Sequence, residues 1–235
     1  LIVLALVLLK NRMFKFLKRW YILAIHGRYS FEYLTFFKEN DLRSPVISCI
    51  KDEIAMHLMV FFRKLKNSVD FLTTKPIEFD KVPFMIPSQD LLKIKGSPDC
   101  MKVEKQGQNR FLVMGYHETL QGMKMRSMYF FVNDRFIMGE YLFPDISHLN
   151  PAGLARTFSV KYLDDHPVEN DVFYITDTSG NQLNFENNGF TISIKYLFMG
   201  DTGMNTLMSG LFETGNQIPG KNIHKADYEE ALARF

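Results

Sequence analysis

The chain has 235 residues, 46% of them hydrophobic, which suffices for one large domain or two small ones with a real core. Its 28 Lys and Arg nearly balance 26 Asp and Glu, a formal charge of +2; proteins built to grip nucleic acid carry a clear basic excess, so no nucleic-acid partner is expected. Phe (22) and Met (13) are abundant beside a single Trp, and since both fill apolar space without needing a hydrogen-bond partner, the surplus points to thick cores or adhesive interfaces.

Leu1 to Leu9 form an apolar run, shorter than the roughly 20 residues that span a bilayer as a helix. Three readings fit: the tail of a longer membrane segment, a short apolar lead, or a natural start at Met13. Lys10, Arg12, Lys15, Lys18 and Arg19 follow the run, the reverse of signal-peptide order. Positive charge on that flank of a membrane segment places the main domain on the cytoplasmic face, with the periplasm as the alternative. From Met13 onward, Phe14, Leu17, Tyr21 and Ala24 share one helical stripe, with Lys15, Lys18 and Arg19 beside it. Such basic amphipathic helices suit anionic membrane surfaces; the competing reading is an ordinary surface helix docked on the core. The candidate contacts to a bilayer or membrane partner are Ala5, Leu8, Leu9, Phe14, Leu17, Lys18, Arg19, Trp20 and Tyr21.

Ser44-Pro45 reads as a helix N-cap with Pro at the first helical position. Ile47, Ile50, Ile54, Leu58, Phe61 and Leu65 then recur every three or four residues and predict a helix over 45–67. His57 lies beside that stripe and reads as a partly buried, satisfied histidine. Cys49 and Cys100 read as two buried thiols or, in an oxidising compartment, as a disulfide. Three prolines in 73–88 mark an extended connection and a domain boundary.

Ser88 is expected to cap a short helix that Gly96 ends and Pro98 cannot continue. Strands are expected at 110–118, Met123–Val132 and Arg135–Phe143, the last two joined by a tight turn at Asn133-Asp134. Glycines 115, 122 and 139 read as bends or close-packing points, not as a phosphate cradle. A helix capped by Asn150, with Pro151 in its first turn, precedes a second three-strand meander between 170 and 198. There Phe190, Ile192, Ile194, Tyr196 and Phe198 alternate with Thr191, Ser193, Lys195 and Leu197, which predicts one buried and one mostly wet face. The Gly-rich tail, 201–235, is expected to form loops and then a helix from about Asp227.

The expected fold is therefore α+β: an N-terminal helical region followed by two helix-plus-three-strand antiparallel meander units, with helices on one face of the sheet. Four regions follow: a membrane-proximal segment (1–30), a helical region with its Pro-rich connection (31–87), the tandem meander domain (88–200) and the tail (201–235).

Sequence motifs for catalysis are sparse. Asp201-Thr202-Gly203 matches an aspartic-protease triplet, but its flanks, Gly200 and Met204, depart from the pattern and no second triplet completes a carboxylate pair. His117-Glu118 resembles an acid–base pair, yet neighbours on a strand point to opposite faces. His148, His166 and His224 lack metal-ligand spacing, and the sequence contains no CxxC, Walker loop, GxGxxG or G-x-S-x-G. No catalytic residue, metal or cofactor is assigned.

Leu91, Leu92, Gly96, Pro98, Asp99, Tyr116 and Met128–Val132 resemble the SmpA/OmlA type of outer-membrane-assembly lipoprotein. The tandem arrangement resembles the related β-lactamase-inhibitor-protein-like fold. Each unit of the resemblance covers about a quarter of the chain, and its motifs are unspecific. It implies small binding modules without catalytic residues, acting through protein–protein contact. The chain departs from that family in having no lipid-attachment Cys near residue 1.

The favoured expectation is a non-enzymatic, membrane-associated accessory subunit whose partners are other protein subunits and, through residues 1–30, a membrane surface or membrane protein. The rivals are a soluble hydrolase using His117 or Asp201 in a cleft between the units, and a carrier for an apolar ligand.

Overall fold

A computed structural model describes residues 2–65, 71–120, 122–147, 149–164 and 166–200, with side chains described outside 2–12, 63–65 and 120. Among these residues five helices form: α1 (Ile2–His26), α2 (Phe31–Glu39), α3 (Ile54–Leu65), α4 (Ser88–Lys95) and α5 (Pro151–Leu163). The strands are β1 (Phe71–Thr73), β2 (Cys100–Gln106), β3 (Asn109–Leu120), β4 (Met123–Val132), β5 (Arg135–Phe143), β6 (Val172–Asp177), β7 (Gln182–Asn187) and β8 (Ile192–Leu197).

All eight strands form one sheet in the order β1-β6-β7-β8-β5-β4-β3-β2. β2 to β5 make one up-and-down meander, and β6 to β8 make another. β5 pairs antiparallel with β8 over Met138–Phe143, which fuses the two. β1 adds a parallel pair to β6. The class is α+β, but two separate helix-plus-three-strand units do not exist, because the β5–β8 ladder makes the sheet continuous. Two strands come without a prediction from the sequence. β2 alternates Met101 and Val103 with Lys102 and Glu104, a signal masked by its place just after Pro98. β1 is only three residues long and enters the Pro-rich stretch.

Nor do helices cover one face alone. Met101, Leu112, Met114, Tyr129, Phe143, Ile175, Phe185, Ile194 and Tyr196 belong to one large core with Leu91 of α4 and Ala155 and Tyr162 of α5. Alternation sends Phe130, Glu140 and Lys195 to the opposite face. There His57 of α3 stacks on Phe130 at 5.2 Å, and Lys195 lies 5.2 Å from the Phe61 ring. The expectation of a mostly wet face on β8 is thus corrected: Ser193 and Leu197 are buried beside Ile192, Ile194 and Tyr196.

The helix expected over 45–67 begins only at Ile54. Ser44 caps no helix; its hydroxyl donates to the Val46 carbonyl at 2.9 Å in a local turn. Two links to the edge strand explain why this stretch stays irregular. A Cys49–Cys100 disulfide ties it to β2, so the buried-thiol reading gives way. Next to it, the Ile47 carbonyl accepts the Met101 amide at 2.8 Å. Ile47 is consequently 76% exposed, off the apolar stripe that Ile54, Leu58 and Phe61 bury. The Glu104 carboxylate accepts the Ile54 amide at 2.7 Å and caps the helix that does form.

Elsewhere the local signals produce their elements. Asn150 accepts the Gly153 amide and caps α5. Asn133 and Asp134 both take positive φ, 50° and 63°, in the β4–β5 turn. Gly96 ends α4 at φ 78°. Ser88, by contrast, is the first residue of α4 and not its cap; its amide and hydroxyl both donate to Asp134 Oδ1.

Two of the strand glycines make room. A Cβ at Gly139 would enter the Phe79 ring, and one at Gly115 would lie 2.5 Å from Cys100 Sγ. Phe79 is fully buried among Tyr129, Tyr141, Tyr196 and Phe136. Overpacking of a filled core costs about 1–3 kcal/mol, so Gly139→Ala is expected to lower unfolding free energy by about 2–3 kcal/mol. Gly139→Ala combined with Phe79→Leu should lose less than the two separate losses added together, because each relieves the clash the other feels. Denaturant midpoints of the four proteins check this; simple additivity would show that the two residues do not share space.

Candidate interaction surface

α1 is one continuous helix of 25 residues, joining the apolar run and the basic segment that the sequence presents as distinct. At 100° per residue, Lys15, Lys18, Arg19, Ile22 and His26 share one side. That side faces α2. Ile22 packs on Tyr33, Phe36 and Phe37; Arg19 Nε donates to the Tyr33 hydroxyl at 3.3 Å. The Arg19 guanidinium lies 5.1 Å from the Phe37 ring, and Lys18 Nζ lies 6.0 Å from the Phe36 ring. These two cations therefore bind along α2's aromatic edge.

The opposite side is apolar and exposed. Met13, Phe14, Phe16, Leu17, Trp20, Tyr21, Leu23 and Ile25 are all exposed, Trp20 to 64% and Phe16 to 66%. Scattered exposed apolar residues are ordinary, but a contiguous patch of large ones marks an interaction site. Of the candidate contacts, Phe14, Leu17, Trp20 and Tyr21 lie on this outward surface, while Lys18 and Arg19 lie on the α2 side. Ala5, Leu8 and Leu9 lie within α1, but their side chains fall outside the described ones. The residues singled out from sequence leave out Met13, Phe16, Leu23 and Ile25. The stripe read from sequence is one residue wide per turn, whereas the free side of α1 is broad because α2 occupies only the basic side. No described helix is long and apolar enough to cross a membrane.

Two polar clusters sit in the sheet. On the α3 face, Glu140 is buried and accepts from Ser193 Oγ at 2.7 Å. His57 Nε2 lies 3.2 Å from its other oxygen, and Lys195 Nζ lies 3.8 Å away. Burial alone would raise the Glu140 carboxyl. The His57 hydrogen bond, the Lys195 and His57 charges and the Ser193 hydroxyl outweigh it and hold Glu140 below the usual 4.5. The serine meets the carboxylate and not the imidazole, so no nucleophile is activated here.

On the other face, Asp80 accepts from Lys95 at 2.7 Å and from the Tyr129 hydroxyl at 2.6 Å. Lys95 also reaches Glu118, which accepts from Ser127. Burial alone would lower Lys95; the Asp80 and Glu118 carboxylates reverse that and keep its ammonium charged above the ordinary range. Burial, reinforced by Asp80, pushes the Tyr129 phenol up. The cluster clamps a tight turn in which Asp80 and Lys81 both take positive φ, 55° and 58°. That turn delivers Phe79 to its seat on Gly139.

His117 and Glu118 point to opposite faces. Glu118 joins the Lys95 cluster, and the exposed His117 lies 3.4 Å from Asp99. Asp201, His148 and His224, together with the tail expected over 201–235, lie outside the described residues. Among the described residues no group of His, Cys, Asp and Glu is arranged to hold a metal.

No protein-family model, curated protein or solved structure matches this chain. The SmpA/OmlA-like resemblance rests on its sequence motifs alone.

Glu140 gives a pH signature. Its folded pKa is depressed, so its contribution is complete above about pH 5 and is lost as pH falls below 4.5 through the folded value. Removing one partner of a buried pair costs roughly 3–5 kcal/mol. Glu140→Gln is thus expected to lose about 3 kcal/mol at pH 7, with the gap to wild type narrowing at acid pH, below 4.5. Urea unfolding at neutral and at acid pH measures it; a gap independent of pH would assign the loss to packing.

Proposed function

We propose that this chain is a non-enzymatic, membrane-associated accessory subunit that works by binding. One observation carries the proposal: α1 holds Lys18 and Arg19 against α2 and turns a broad aromatic and aliphatic side outward. A helix docked only to complete a core would bury that side. α1 carries Lys10, Arg12, Lys15, Lys18 and Arg19 along its length, a composition suited to lying in the interface plane. Trp20 and Tyr21 fit the headgroup level, where amphipathic rings concentrate. Burying a large apolar side chain contributes about 1.5–3 kcal/mol, so a few of these residues suffice for stable association. The sheet and its Phe-rich core would serve as a rigid platform for other protein subunits.

The Cys49–Cys100 disulfide supports an oxidising compartment, since such bonds are rare in reducing ones. It favours the periplasmic alternative over the cytoplasmic face read from charge order.

Flotation with phosphatidylcholine–phosphatidylglycerol vesicles tests the contact. Leu17→Glu combined with Trp20→Glu should cut the bound fraction at least roughly tenfold, while leaving the melting temperature unchanged because both side chains are exposed. Equal flotation of the variant and wild type would count against α1 as the contact.

The compartment is checked in cells by alkylating before and after reduction. Cys49 and Cys100 should react only after reduction, and reduction of the purified protein should cost about 3–4 kcal/mol for a separation of 51 residues. Free thiols in the unreduced cellular protein would return the domain to the cytoplasmic side.

A further inference from the structure

We propose that the cavity between the C-terminus of α1, the first turns of α2 and α4, and the β4–β5 turn takes a phosphoethanolamine group, presented as a phospholipid headgroup. The proposal rests on α1 as the membrane contact and names the lipid chemistry beside it. The cavity measures about 330 Å³, at the small end of ligand pockets of about 300–1,000 Å³.

Its lining includes Arg110 and Asp134, groups of opposite charge. Arg110 donates one N–H to Glu32 at 2.9 Å, and its guanidinium lies 5.4 Å from the Phe31 ring. The remaining donors of that fork have no partner among the described residues, and a guanidinium fork matches phosphate oxygens. Asp134 Oδ1 is occupied by the Ser88 amide and hydroxyl. Its Oδ2 has no partner among the described residues and is suited to an ammonium group. Two hydrogen bonds hold the start of β3 beside the β4–β5 turn that carries Asp134: the Arg110 amide donates to Asn133 Oδ1, and the Asn133 amide donates to the Arg110 carbonyl. The cavity thus offers a phosphate-binding fork and an ammonium-binding carboxylate within one small volume.

That pairing discriminates between headgroups. A purely anionic group would meet Arg110 but also Asp134 and Glu32. A choline group cannot donate a hydrogen bond to Asp134, and Phe31 alone makes no aromatic cage. An ethanolamine ammonium, with three N–H donors, suits the site. The lipid source follows from Ile25, which lines the cavity and also belongs to the exposed apolar side of α1. Acyl chains leaving the cavity would continue along that surface.

The test uses the full chain in two arms. Glycerophosphoethanolamine is titrated by calorimetry, and flotation is compared on vesicles of phosphatidylcholine alone and of phosphatidylcholine mixed equally with phosphatidylethanolamine. Binding of the soluble headgroup is expected, with about tenfold weaker affinity in Arg110→Gln and in Asp134→Asn. Asn at 134 tolerates the positive φ there and keeps an acceptor for Ser88, so that variant should melt with wild type. The mixed vesicles should bind more wild-type protein, and neither variant should show that preference. Equal flotation on both vesicles without glycerophosphoethanolamine binding would overturn the headgroup site and leave α1 as the membrane contact. Soluble binding with no flotation on either vesicle would support the cavity for free phosphoethanolamine and overturn the membrane reading. Headgroup binding that both variants retain would overturn the assignment to Arg110 and Asp134.

Discussion

The pairing of β5 with β8 is the constraint on which the architecture depends. Residues far apart in sequence, Glu140 and Lys195 or Gly139 and Tyr196, sit opposite each other there and turn two meanders into one sheet. The seam is locked from both sides. On one face Phe79 fills the space left by Gly139 and touches Tyr141 and Tyr196, so that an aromatic cluster straddles the junction. On the other, Glu140 draws together Ser193 and Lys195 of β8 and His57 of α3. Aromatic packing supplies non-directional burial. The buried carboxylate supplies direction, because a slip of one residue would turn it into the aromatic core, away from its partners.

The two polar clusters share a logic. Each holds a costly local arrangement in place. The Glu140 cluster anchors α3 over Phe130. The Asp80 cluster stabilises a turn with two consecutive positive-φ residues that lack glycine's freedom. Every charged member found there has a structural partner, which is what burial demands. The contrast with the α1 end is informative. There, Arg110 and Asp134 keep unused hydrogen-bonding capacity at a cavity, and the neighbouring helix exposes apolar surface. On the proposed reading the α1 end binds, whereas the charged groups of the two sheet clusters serve the fold.

Much of the local structure is legible in the sequence because its signals are short-range. Asn150 followed by Pro151, the Asn133-Asp134 turn and the strict alternation after Phe190 each depend on a few neighbouring residues, and each produces its element. What stays hidden is set by distant partners. Nothing near Ile47 tells that Cys49 will be tied to Cys100 and hold the chain extended where an apolar stripe suggests a helix. Nothing in β5 or β8 alone says that they pair, since an edge strand and a central strand of this kind read alike. The glycines divide the same way: Gly122, at φ 83°, is a turn by its own conformation, whereas Gly139 is small because Phe79 arrives from sixty residues upstream. On α1 the apolar stripe is visible, but its breadth depends on α2 taking the basic side.

The geometry of α1 also bears on how its charges should be read. Loop-charge asymmetry orients a membrane protein when cations follow a crossing segment. Here Lys10, Arg12, Lys15, Lys18 and Arg19 lie within a single unbroken helix, and the last two are engaged with Phe36 and Phe37. Cations held against a protein surface are spent on intramolecular contacts, so their sign says little about which side of a bilayer the domain occupies. The disulfide, a covalent bond whose formation needs an oxidising setting, is the weightier signal on the proposed reading. Lys18 and Arg19 lean on α2's rings yet stay exposed, as does Lys15, so on the proposed reading attraction to lipid would combine apolar burial and headgroup chemistry with charge. The apolar share of that binding is nearly insensitive to salt, whereas the share carried by the exposed cations falls as salt rises.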